Sequence, residues 1–214
     1  MMMKELKKIE KDHPEFVTPN SPTQHVGGSA KREAGVLVRH RVPMLSLQDV
    51  FSKEEVQDFV KSMQETLVDP VFVVEYKIDG LSMALRYENG LLTTAITRGD
   101  GIIQGEDVTV NAKVIKDVKN KLKEPIEYLE VRGEVYMTNE AFDKVNEIQE
   151  LNNKKTFANP RNCAAGTLRQ LDSRITKQRN LSMFIFNIQD IRGKEITSHS
   201  QGYEYLKIQG MKVI

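Results

Sequence analysis

Cysteine is nearly missing from this 214-residue chain, with Cys163 its only thiol. One cysteine rules out an internal disulfide and a cysteine zinc cluster within the chain, and it fits a reducing, cytoplasmic setting. Long apolar runs are missing too. Nothing approaches the roughly 18 uninterrupted residues of a membrane span, so no membrane partner is expected. The opening MMMKELKKIEKD is charged where a signal peptide carries its apolar centre. Histidine is sparse, and His13, His25, His40 and His199 show no ligand spacing, so they suggest no metal site. Charge of one sign is not in excess either: the net value is +1, which alone points to no polyanionic partner. No internal repeat or low-complexity tract is visible.

What remains describes an ordinary folded protein, with 39% hydrophobic and 29% charged residues. The length suits one domain, or a domain plus a small appendage, and allows a sizeable core. The charge distribution says more than its sum. Lys154, Lys155, Arg161, Arg169, Arg174, Lys177 and Arg179 fall in one stretch that holds a single acid, Asp172. Such a segment could neutralise phosphates, although a solvated basic face explains the same charges.

Along the chain, residues 1–12 read as a short polar helix, and HPEFVTPNSPTQHVGG after it reads as an extended linker. SKEEVQDFVKSMQETL has helical spacing at Val56, Phe59, Val60, Met63 and Leu67, with Ser52 and Glu55 forming a capping box at its start. The period then becomes two. In VFVVEYKID, Phe72, Val74, Tyr76 and Ile78 fall on one side of an expected strand. Val73, Glu75, Lys77 and Asp79 fall on the other. Asn89-Gly90 between two alternating runs predicts a hairpin. YLEVRGEVYM is a further strand, with Glu130, Arg132, Glu134 and Tyr136 turned away from Leu129, Val131, Val135 and Met137. A helix carrying Phe142, Val145 and Ile148 follows, then one opened by Asn159 as cap and Pro160 at its first position. LSMFIFNIQDI reads as a strand, and YEYLKIQG as a helix ending in glycine. The expected class is α+β, with antiparallel hairpins and flanking helices.

Lys77 is the residue on which chemistry could turn. A lysine held near the end of a strand and followed by Ile78-Asp79-Gly80 can present an amine to a bound phosphate. The amine must be neutral to attack, whereas free lysine titrates near about 10.4. Glu75 and Asp79 would favour the ammonium form, so desolvation or a divalent cation has to offset them. A K-x-D-G tetrapeptide alone is weak, and a solvent-facing strand explains the charged side equally well.

Longer matches narrow the reading. Glu75-Tyr76-Lys77-Ile78-Asp79-Gly80 resembles the motif shared by DNA ligases, RNA ligases and capping enzymes. TRGDG at 97–101, GEDVTVN at 105–111, LEVRGEVYM at 129–137, FANPRNCAAGTLRQLD at 157–172 and MLSLQDVFS at 44–52 resemble the bacterial NAD+-dependent DNA ligases. They keep that family's order and approximate spacing, from about Thr23 to Ile214. The resemblance implies a nucleotidyltransferase, ATP-grasp-like adenylation domain over residues 23–214, with residues 1–22 a remnant of an N-terminal cap and linker. It implies NAD+ and Mg2+ (or Mn2+) as cofactors and nicked double-stranded DNA as partner. Lys77 would take AMP from NAD+, AMP would pass to the 5′-phosphate of the nick, and the 3′-hydroxyl would displace it.

Carried over by position, Ser46 and Leu47 would border the adenosine, Glu75 would help fix the base, and Glu134 would bind the ribose. Arg98 would meet nucleotide or nick phosphates, and Asp79 would be a metal or acid–base partner. Arg161 and Arg169, offset by about 80° at 3.6 residues per turn, could share one face toward DNA or AMP phosphates. Arg132 and Glu134 also read as a cross-strand ion pair on an exposed sheet face. Cys163, where the family usually has alanine, reads as a small packing residue. Of the family's cap domain only the short remnant at residues 1–22 is here, and the later lysine motifs have no counterpart, so a truncated chain without nick-sealing activity of its own, reacting inefficiently with NAD+, is expected. Missing ligase domains could then come from another chain. Two other readings remain open: an ATP- or GTP-dependent RNA ligase or capping enzyme, and a non-catalytic nucleotide- or DNA-binding remnant.

Overall fold

The computed structural model describes residues 2–17 and 35–214. The expected boundary between residues 22 and 23, His25 and most of the expected linker lie outside the described residues. Helix α1 (Met2–Asp12) and a one-turn 3-10 helix (Pro14–Phe16) open the chain. Then come β1 (Leu37–Arg39), α2 (Lys53–Thr66), β2 (Leu81–Glu88), β3 (Leu91–Thr97), β4 (Gln104–Glu106) and α3 (Thr109–Ala112). The rest is β5 (Tyr128–Tyr136), α4 (Asn139–Leu151), α5 (Pro160–Leu168), α6 (Ser173–Gln178), β6 (Ser182–Arg192) and α7 (His199–Ile208). This is a mixed α and β molecule, and no described helix is long and apolar enough to cross a membrane.

The centre is an antiparallel sheet of order β3-β2-β5-β6, with a small β1-β4 ribbon beside it. Asn89 and Gly90 form the β2–β3 turn with φ of 49° and 75°, the positive pair a type I′ hairpin turn needs. Alternation along the strands then divides the sheet into two faces. Met83, Leu85, Tyr87, Leu129, Val131, Val135, Met183 and Ile185 join a core completed by Cys163, Ala164 and Leu168 of α5 and Tyr205 and Leu206 of α7. Each fully buried aliphatic side chain of this set contributes about 1.5–3 kcal/mol. Cys163 is wholly buried, and burial raises its thiol pKa, as suits a packing residue.

Helix boundaries follow their caps. Ser52 accepts from the Glu55 amide, and the Glu55 carboxylate returns to the Phe51 amide, one residue before the usual capping-box partner. Asn159 caps α5 by accepting from the Asn162 amide, with Pro160 behind it. Two expectations change. Segment 71–79 is not a strand: it belongs to no ladder of either sheet among the described residues, and Val74 and Tyr76 are 96% and 85% exposed. Its alternation predicted two faces, but a strand also needs a partner backbone, which sequence period does not report. The second change concerns β5, whose polar face is not solvent-facing. Glu130 and Arg132 are buried.

Candidate active site

The polar face of the sheet begins with direct cross-strand neighbours. The register sets Ser82 opposite Glu134, Ala84 opposite Arg132 and Arg86 opposite Glu130. Ser82 Oγ donates to Glu134 Oε2 at 2.7 Å, and Arg86 Nε donates to Glu130 Oε2 at 2.9 Å. Tyr128 also donates to Glu130 at 2.9 Å; burial, then its bond to Glu130, pushes the phenol up to about 12. Arg132 stands 3.7 Å from Glu130 and donates to the carbonyls of Pro43 (2.7 Å) and Val42 (2.6 Å). The buried charges therefore staple the chain before Met44 onto the sheet. Arg132 does not pair with Glu134, contrary to the cross-strand alternative read from sequence.

That staple carries the MLSL segment. Arg98 Nε donates to the Met44 carbonyl at 3.2 Å and its terminal nitrogen donates to Ser46 Oγ. His40 Nε2 meets the Arg98 carbonyl at 2.9 Å. Asp100 holds the following turn by accepting from the amides of Ile102, Ile103 and Gln104, bonds that lower its carboxyl pKa. Ser46, Leu47 and Arg98 are thus brought together, with Leu47 77% exposed.

Gly80 brings the lysine segment to the sheet. A Cβ there would lie 2.2 Å from the Val135 carbonyl oxygen and 3.0 Å from the Glu134 side chain. Only glycine permits that approach. Glu134 consequently feels the charges of Lys77, Arg161 and Asp79. Burial is the largest influence on Glu134 and raises its carboxyl pKa, against the lowering effects of Ser82, Lys77 and Arg161. Lys77, Asp79, Glu134 and Arg161 are therefore neighbours, with Arg161 3.4 Å from Asp79.

The two arginines of FANPRNCAAGTLRQLD go to different carboxylates. Arg161 meets Asp79, while Arg169 donates to Glu106 at 2.8 Å. Helix α5 ends at Leu168, so Arg169 is its cap residue rather than a third turn on the same face. Glu75 is held by His199, with Nε2 and Oε1 2.7 Å apart. The histidine spacing gives no sign of the role of His199, and no local motif marks Ser82 or Tyr203. Register could have paired Ser82 with Glu134 once the hairpin was aligned; nothing local links His199 to a residue 124 positions away.

Among the described residues no group of three or more His, Cys, Asp or Glu could hold a metal ion. Asp79 and Glu134 are the carboxylates beside Lys77, and Glu134 keeps acceptor capacity beyond its bond from Ser82. Mg2+ is commonly bound by one or two carboxylates, with substrate phosphates completing its shell, so these residues fit such an ion.

The family model for the NAD-dependent DNA ligase adenylation domain matches residues 35–214, and that for the DNA ligase-like, N-terminal NAD+-binding domain matches residues 1–27. A DNA ligase of Clostridium kluyveri is 53% identical over 209 residues, covering 98% of this chain and 31% of that protein. One from Caldicellulosiruptor saccharolyticus is 52% identical, covering 100% and 31%, and one from Acetivibrio thermocellus 50% identical, covering 99% and 32%. The chain thus spans about a third of the length of these relatives. It belongs to the NAD-dependent DNA ligase family, over the adenylation domain.

Proposed function

We propose that Lys77 is the nucleophile of an adenylyl transfer from NAD+, within a nucleotidyltransferase, ATP-grasp-like fold. The observation that carries this reading is the neighbourhood of Lys77, Asp79, Glu134 and Arg161 beside Gly80. Lys77 Nζ attacks the α-phosphorus, a P–N bond forms, and nicotinamide mononucleotide leaves with the electron pair of the broken P–O bond. The resulting phosphoamide passes its AMP to the 5′-phosphate of nicked duplex DNA, where the 3′-hydroxyl displaces it in replication and repair. Positioning and charge neutralisation dominate such transfers. Lys77 is exposed, so its amine is accessible to a bound dinucleotide. A bound Mg2+ or Mn2+ would neutralise phosphate charge, with Asp79 and Glu134 as the carboxylates toward it.

In the same reading Glu75 fixes the base, Ser46 and Leu47 border the adenosine, and Glu134 accepts a ribose hydroxyl. Arg98, Arg161 and Arg169 serve phosphates, and binding then requires them to exchange a present partner for the anion. Residues 1–22 fall to the cap side and residues 23–214 to the adenylation domain, working in the cytoplasm. Intact-mass analysis after incubation with NAD+, ATP or GTP tests the donor. An AMP adduct from NAD+ alone supports the proposal; an adduct from ATP, or a GMP adduct from GTP, without one from NAD+ overturns it.

A further inference from the structure

Among the described residues the lysine segment has no strand partner, and its residues Val74, Glu75, Tyr76 and Lys77 are all exposed. The Glu75 side chain is nevertheless partly covered, keeping 26% of its own exposure. What covers it is the first turn of α7. His199 Nε2 meets Glu75 Oε1 at 2.7 Å. Tyr203, one turn further along α7, packs its ring against His199 with centroids 4.3 Å apart. The Tyr203 hydroxyl donates to the Phe186 carbonyl of β6 at 3.1 Å. Burial chiefly, with the nearby Glu75 carboxylate adding to it, pushes its phenol above the usual range. Helix α7 is itself anchored by Tyr205 and Leu206 in the core, so the imidazole is held from a rigid element.

The second tie on the segment, Asp79 with Arg161, is weaker. Its partners are 3.4 Å apart with side chains 78% and 62% exposed, a setting in which ion pairs contribute little. Lys77 lies between these two ties. We infer that His199, backed by Tyr203, is a positioning residue: it fixes the Glu75 carboxylate for the amino group of a purine base and thereby anchors the Lys77 segment to α7. This rests on the proposed adenylyl-transfer reading for the identity of the base, but the anchoring stands on geometry alone. A carboxylate offers about four lone-pair directions. His199 therefore leaves capacity for a base amine instead of competing with it for every acceptor site.

The test uses the 214-residue chain with His199→Ala and His199→Gln, the latter keeping a donor nitrogen at similar reach. Backbone 15N relaxation reads the segment directly. In His199→Ala the order parameters at Glu75 and Lys77 fall from the rigid range near about 0.85 toward about 0.6, while the core strands stay rigid. His199→Gln retains the wild-type values. Single-turnover labelling with NAD+ reads the base: the half-saturating concentration rises about tenfold in His199→Ala, equivalent to about 1.4 kcal/mol, with the maximal rate changed much less. Unchanged order parameters in His199→Ala, or an equal fall in both variants, overturn the anchoring. Labelling of His199→Ala with wild-type half-saturation overturns its extension to the base. Failure of the wild-type chain to label, with the order parameters responding as stated, sinks the adenylyl-transfer reading and leaves the anchoring intact.

Discussion

Glu134 shows how a single residue is tuned by its surroundings. Its carboxyl pKa is raised chiefly by burial, despite the Ser82 hydrogen bond and the positive charges of Lys77 and Arg161. A carboxyl raised in the folded state contributes stability below its unfolded pKa, and that contribution is lost as pH rises through the folded pKa. At neutral pH the Glu134 carboxylate therefore costs stability. Glu134→Gln keeps an acceptor for Ser82 and removes the half-buried charge, so it should melt higher than wild type at pH 7. The gap should close below about pH 4, the ordinary range of carboxylates. Each kcal/mol corresponds to about 2–4 °C for a domain of this size. A lower melting temperature at pH 7, or a gap independent of pH, would contradict this assignment. Glu130 is fully buried, and there Arg86 and Tyr128 both donate to the carboxylate while Arg132 stands beside it.

Among the elements, the junction of segment 71–79 with β2 matters most, because Gly80 makes the approach to β5 possible. Gly80→Ala would drive a methyl into the Val135 carbonyl oxygen, 2.2 Å away, and backbone cannot yield as a flexible side chain can. The expected cost is about 1–3 kcal/mol, read by denaturant unfolding, together with loss of lysine labelling. A variant that keeps both stability and labelling would refute the need for close approach. This junction also marks the limit of what the sequence could say. The Asn89-Gly90 hairpin, the β5 and β6 strands and the Asn159-Pro160 helix start were legible because local chemistry dictates each of them. Segment 71–79 has a strand's period without a partner among the described residues, and pairing is a non-local property. In the same way, Ser82 beside Glu134 follows from register, but His199 beside Glu75 follows only from where α7 packs. Arg161 and Arg169 shared a plausible helical face until α5 ended at Leu168 and gave them different partners.

On the scale of the whole molecule, a well-packed sheet-and-helix body carries a conspicuously apolar surface on one stretch of chain. Leu45, Leu47, Phe51, Val56, Phe59, Val71 and Val74 are all exposed, and α2 buries no residue. Exposed apolar surface together with an unpaired extended segment favours association. Size-exclusion chromatography with light scattering should therefore detect self-association that grows with protein concentration. A monomer at all concentrations, with one cooperative melt, would contradict this expectation. The central claim concerns Lys77, and intact-mass spectrometry with peptide mapping after incubation with NAD+ and Mg2+ tests it most directly. The account predicts a gain of one AMP, located on Lys77 and absent from Lys77→Ala. An adduct on another residue, an adduct that survives Lys77→Ala, or a folded chain that takes up no AMP would contradict it.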